Sequence, residues 1–208
     1  MILDNIKTVV ICPDHNEKYN NRKKHMCQLL EEIGIKNVTH HKSGSEEYPK
    51  CLVEALITVL EANMDDDPIL ILEDDVEWTG LHHFDLNPGV DCVYLGLSRC
   101  GGSAYHNADD GSSLFAEYSS TQVKVINMLS AHAVVYISKQ YKQAVVDELK
   151  NRISWHADVL MSRIQKNFIV LANKNPIFYQ GSGFGNEKSN VEIMTKIFIK
   201  TNVQICPG

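Results

Sequence analysis

Short apolar runs alternate with helix-patterned stretches through the first half of the chain. TVVIC (8–12) is rich in β-branched residues and stops at Pro13; Met26, Leu29, Leu30 and Ile33 then recur at helical spacing within 22–33, and Gly34 ends the pattern. NVTHH (37–41) reads as a second strand, YPKCLVEALITVLEAN (48–63) as an amphipathic helix opening near Pro49, and ILIL (69–72) as a third strand. Strands and helices interleaved in this order predict a parallel sheet with right-handed crossovers, whose ligand crevice lies at the carboxyl ends of the strands.

The second half continues the pattern less regularly. CVYLGL (92–97) and SAHAVVYIS (130–138) read as strands, KQYKQAVVDELKNR (139–152) and 157–165 as helices, and FIVLANKNPIFYQ (168–180) as short extended pieces. Between the first two, 98–120 is rich in Gly, Ser, Asn and Asp and reads as a long loop of the kind that carries function. The stretch GSGFGNEKSN (181–190) is glycine-rich and mobile by composition.

At 208 residues and 44% apolar content the chain can build one well-buried core, so a single domain over 1–208 is expected. A net charge of -6 and the absence of a Lys/Arg stripe argue against nucleic acid as partner. The densest basic run, NRKKH (21–25), reads either as a solvated helix start or as an anion site. Six cysteines, none in a C-x-x-C pair, read as reduced thiols; with no signal peptide and no apolar run of about 18 residues, a cytoplasmic protein without a membrane span is expected.

The chemistry concentrates after the third strand. Pro68–Trp78, PILILEDDVEW, drives an apolar strand into Glu73, Asp74 and Asp75, with Glu77 two residues on. Carboxylates crowded at a strand end repel one another and resist desolvation, so they have a cation to hold or a proton to move. On an extended backbone 73, 75 and 77 share one side and 74 the other, which lets Glu73 and Asp75 converge on one divalent ion; an acidic turn is the other reading. DDDP (65–68) precedes its strand and ADDG (108–111) lies in a polar stretch, so both read as solvated turns.

ILILEDDVEW resembles the hydrophobic strand and EDD form of the DxD motif in GT-A glycosyltransferases, nearest to the family 25 group that extends lipooligosaccharides and collagen sugars. VVICPDHNEKYNNRKKH is similar to that family's first strand and helix start, DCVYLGL to the strand after EDD, SAHAVVYIS to its histidine-bearing strand with His132 at the histidine, and WHADVLMSR to its later PVD helix start with Asp158 at the acidic position. The first loop departs from the family's NLDRR wording, and WHAD replaces PVD. The resemblance implies a single GT-A-type α/β domain with a Rossmann-like, mostly parallel central sheet flanked by helices. A nucleotide-sugar half would cover about 1–97 and an acceptor and catalytic half about 98–190.

It implies a hexosyltransferase moving a sugar from a nucleotide-diphosphate donor, with a UDP-sugar expected, to a carbohydrate or glycoconjugate acceptor, with inversion. Mn2+ or Mg2+ would be held by Asp75 and Glu73, and the donor met by Pro13, Arg22, Asp74, Gly181, Gly183 and Lys188, with Gly185 in the same glycine-rich lid. Asp158 would be the general base beside Trp155, or else a helix N-cap; Glu77 and Asp91 are the next carboxylates. His132, inside an apolar strand, reads first as a hydrogen-bonded core histidine. A sugar- or nucleotide-binding module without catalysis is the main rival, and a phosphorelay receiver a weaker one, because here a full strand-helix-strand-helix set precedes the acidic strand end.

Overall fold

The computed structural model describes residues 3–13, 16–44, 47–65, 67–98, 100–102 and 109–181. A 3-10 turn at Leu3–Asn5 leads into β1 (Lys7–Ile11), followed by α1 (Glu17–Ile33), β2 (Val38–His41), α2 (Lys50–Glu61), β3 (Ile69–Glu73) and β4 (Val76–Trp78). Then come β5 (Cys92–Tyr94), β6 (Cys100–Gly102), β7 (Asp109–Ser112), β8 (Leu114–Glu117), β9 (Gln122–Asn127) and β10 (Ala133–Tyr136). Helices α3 (Lys139–Asn151) and α4 (Ala157–Gln165) precede β11 (Val170–Asn173) and β12 (Phe178–Gln180).

The central sheet has the order β2-β1-β3-β10-β5-β11-β9-β8. Strands β2, β1 and β3 are parallel, as are β5 and β11; β10 runs against both β3 and β5, and β9 against both β11 and β8. Only β10 and β9 therefore point against the rest, and the expected α/β class with its mostly parallel sheet holds. The two faces are covered differently. Residues of α2, α3 and α4 (Val53, Leu60, Val146, Leu160) pack with Ile71 and Val134 on one side; Met26 and Leu30 of α1 pack with Leu70, Leu72 and Val135 on the other. Alternate residues of β3 thus feed opposite cores, as the period of two requires.

Several boundaries differ from the sequence reading. Helix α1 starts five residues before 22, because Asn16 caps it by accepting from the Tyr19 N–H at 3.1 Å; Gly34, at a φ of 86°, closes it in the left-handed region. The segment 98–120 is not one long loop: β6 pairs with β7, and β8 pairs with β9, a strand whose alternating Val123 and Val125 went unassigned. Residues 103–108 lie outside the described residues. The five described cysteines are free thiols, and no described helix is long and apolar enough to cross a membrane.

Candidate active site

The carboxyl ends of β1 and β3 open into a cavity of about 530 Å3, whose walls also take residues from the first turns of α1 and from the start of α2. The chain builds it by stopping apolar strands with residues that cannot continue them. After Ile11, Pro13 turns the backbone away; after Leu72, the strand ends at Glu73 and the chain reverses through Asp74 and Asp75 into β4. That turn overrides the expected alternation. Asp74 does not face away from its neighbours: Glu73, Asp74 and Asp75 all line the same cavity.

Arg22 reaches them from the second turn of α1. Its Nη1 donates to Asp74 Oδ1 at 2.9 Å, its Nη2 lies 3.5 Å from Asp75 Oδ2, and all three residues are buried. Neither the solvated helix start nor a free anion site describes Arg22 here; it is the counter-ion of the EDD turn. The balance stays acidic. Burial first, and then the charges of Asp75, Asp158 and Asp74, push the Glu73 carboxyl well above its ordinary value, with Arg22 only partly opposing them. Burial also raises Asp74, against the pull of Arg22, and burial together with Asp74 drives the Cys12 thiol 3.5 Å away up to about 12. Cys12 is therefore a neutral buried thiol beside Asp74.

His132 lies beneath this turn. Its backbone carbonyl accepts from the Glu73 N–H at 3.0 Å and its Nδ1 is 3.1 Å from Ser130 Oγ. Burial, partly opposed by Asp75, lowers it to about 4, so it is a neutral core histidine at ordinary pH. Its ring occupies the space over Gly96, where a Cβ would come within 1.8 Å of Nε2.

The other sequence candidates separate clearly. Pro13 lines the cavity; Gly181 is not among its lining residues but packs against the EDD turn, its N–H donating to the Asp75 carbonyl at 2.7 Å while a Cβ there would meet Glu77 Cγ at 2.7 Å. Gly183, Gly185 and Lys188 lie outside the described residues. Asp158 is in the first turn of α4 but is not its N-cap, a position held by His156; its Oδ1 accepts from the Val159 N–H at 2.8 Å, and its charge reaches both Glu73 and Tyr48. Trp155 is taken up between Arg152 and Arg163, whose guanidinium carbons lie 4.2 and 4.5 Å from its ring centroid. Glu77 pairs with His25 at 3.3 Å. Asp91, just before β5, accepts from Ser138 Oγ at 2.6 Å and the Ile169 N–H at 2.8 Å, which makes it a structural carboxylate at the opposite end of the sheet.

Sequence reasoning missed Lys18, Tyr19, Ser43, Tyr48 and Gln180, all of which line the cavity. Gln180 Nε2 donates to Glu73 Oε2 at 3.4 Å. The signal for Lys18 and Tyr19 was the Asn16 cap, which starts α1 early enough to bring both to the site; nothing in the pattern marks Tyr48. Among the described residues no three His, Cys, Asp or Glu side chains form a ready metal cage.

No protein-family model matches the chain, and no curated protein matches it. Solved structures do. A glycosyltransferase involved in glycosylation of the major capsid of PBCV-1 aligns over 93% of this chain and 99% of its own, at 8% identity and a TM-score of 0.50. The catalytic domain of Drosophila beta1,4-galactosyltransferase 7, in complex with xylobiose, aligns over 92% and 79% at 10% identity and a TM-score of 0.44. A nucleoside-diphosphate-sugar pyrophosphorylase from Vibrio cholerae RC9 aligns over 79% and 70% at 15% identity and 0.46. The first of these shares its fold with this chain, a GT-A-like α/β fold.

Proposed function

We propose that this protein is a GT-A-type glycosyltransferase that transfers a hexosyl group from a nucleotide-diphosphate sugar, a UDP-sugar by expectation, to a carbohydrate or glycoconjugate acceptor with inversion. The observation that carries the reading is the cavity at the carboxyl ends of β1 and β3, where three carboxylates meet a single buried arginine. Open α/β sheets bind ligands at such ends. The family 25 resemblance remains the guide to the subgroup.

The donor set fits a hard divalent cation shared with a diphosphate: Glu73 and Asp75 are oxygen donors in one cavity, and burial together with the neighbouring carboxylate charges pushes Glu73 upward. When bound there, Mn2+ or Mg2+ would supply Lewis-acid neutralisation of the leaving diphosphate. The chain's own groups account for the rest. Lys18 and the Pro13 corner meet the donor's phosphates and base, and Arg22 holds the EDD turn in place. Asp158 takes the proton from the acceptor hydroxyl as that oxygen bonds to the sugar's anomeric carbon, and the bond from that carbon to the diphosphate oxygen breaks. A binding module without catalysis would keep the first half of this sequence and lack the last.

The test is titration of nucleotide sugars followed by thermal shift and product analysis. A matched donor at 100 times its dissociation constant should stabilise the protein by roughly 2.7 kcal/mol. Nucleotide released only when Mn2+ and an acceptor are present supports the reading. Equal donor affinity in EDTA and in Mn2+ removes the cation, and failure of every nucleotide sugar to bind removes the function.

A further inference from the structure

The acceptor's place in the site is not fixed by any residue described so far, and one pair on the cavity rim has the chemistry for it. Tyr48, just ahead of α2, is 65% exposed, the largest exposure of any big apolar side chain described. An exposed tyrosine ordinarily samples several rotamers. This one is held: its hydroxyl lies 3.1 Å from His156 Nδ1, and the two rings meet edge-on, 5.2 Å between centroids and 63° between planes. The contact joins the start of α2 to the start of α4, two elements from opposite halves of the chain. His156 is also an odd choice at its position. It is the N-cap of α4 yet makes no side-chain cap bond, where Ser, Thr, Asp or Asn would serve the helix better. The imidazole is spent on Tyr48 instead.

The residue is exposed, yet its hydroxyl feels the site: burial first, and then the charges of Glu73, Asp158 and Asp75, raise it, which places it within the field of the carboxylates. An edge-on partner leaves at least one ring face open. A pyranose has a complementary form, an apolar C–H face rimmed by hydroxyls, which suits an aromatic plate bordered by a phenol and an imidazole. Lys18, Tyr19 and Arg22 enter the same cavity from α1, which covers the other face of the sheet from α2, and the donor is placed there with Pro13 and Asp74.

We propose that Tyr48 and His156 form the seat of the acceptor sugar, Tyr48 stacking on its apolar face and the pair directing one of its hydroxyls toward Asp158. The inference rests on the glycosyltransferase reading and adds to it the acceptor subsite and the ligand class, a pyranoside. Held by His156, the ring is pre-ordered, so little conformational freedom is lost when a sugar docks.

Saturation-transfer NMR with methyl glycosides of galactose, glucose and mannose, in the presence of UDP and Mn2+, reads this directly. The glycoside that binds wild type should lose at least about fivefold in affinity in Tyr48→Ala, stay within about twofold in Tyr48→Phe, and lose about threefold in His156→Ala. UDP affinity, measured on the same samples, should stay constant. Tyr48→Ala binding the glycoside as tightly as wild type overturns the proposal, as does a parallel loss of UDP, which would move Tyr48 to the donor wall. Wild type binding UDP and no glycoside overturns it while leaving the wider function standing; wild type binding neither overturns both.

Discussion

Acidic clusters stand at both ends of β3, and they are handled in opposite ways. At the amino end, Lys142 of α3 is wholly buried, and its Nζ donates to the carbonyls of Asp65 and Asp67 at 2.8 and 2.7 Å. The Asp65 side chain, 3.7 Å from the same Nζ, is 68% exposed, so its charge stays in water. At the carboxyl end, Asp74 and Asp75 are buried and paired with one arginine, and Glu73 stands beside them in the same cavity. The first cluster is a solvated turn that closes a loop over a buried ammonium. The second is an over-acidic pocket. Acidity in the sequence is the same at both; what differs is which carboxylates lose their water.

The contrast breaks most visibly through Asp75. Asp75→Ala should lower turnover by about a thousandfold and remove Mn2+-dependent donor binding, with little loss of melting temperature, since it relieves charge crowding. Steady-state kinetics and calorimetry check this. At the other end Lys142→Met should do the reverse. It removes two charge-assisted hydrogen bonds from a buried ammonium and costs about 3 kcal/mol in chemical denaturation, while donor affinity stays at the wild-type value.

Asp158→Asn comes next, with turnover down about a hundredfold and donor affinity unchanged if the carboxylate is the base. Retained turnover in a matched assay would return Asp158 to its bond with the Val159 N–H. The histidine beneath the carboxyl end should add an acid-sensitive contribution, opposed there by the raised Glu73 and Asp74 carboxyls, which favour the folded state as pH falls. His132 is depressed from 6.5 to about 4, so the unfolded chain binds a proton that the folded chain refuses, and stability falls as pH drops through that window. Near pH 5 the histidine's own contribution is on the order of 2 kcal/mol, read as the difference between wild type and His132→Gln in the change of stability from pH 7 to pH 5 by urea unfolding. The smallest effect belongs to Asp65→Ala, whose solvated carboxylate should be worth less than about 0.5 kcal/mol and nothing in activity.

How far the sequence disclosed this depends on which interactions are local. The β-α alternation of the first half, the placement of β1, α2 and β3, and the EDD turn at a strand end follow from patterning within a few residues. Strand reversals such as β10, inserted between β3 and β5, are set by pairing across the chain and leave no periodic mark. Strand β9 did leave one, in Val123 and Val125, but the Gly- and Ser-rich stretch before it hid the signal. At the site, the alternation rule placed Asp74 on the wrong side because it assumed an extended backbone where the chain turns. Tyr48 and His156, 108 residues apart, meet only through the packing of α2 and α4 on one face, and no local pattern reports such a meeting.

The ring of His132 lodged over Gly96 makes these two positions genetically interdependent. A random library at position 96 alone should return glycine and little else among folded clones, because even alanine would place a carbon inside the imidazole. Once position 132 is shortened to serine or alanine, the same library should broaden, and alanine or serine at 96 should then become the better choice by filling the vacated space. A substitution at Gly96 that is fatal by itself would be tolerated once His132 has been shortened, so the order in which the two arise decides whether this part of the chain can drift at all.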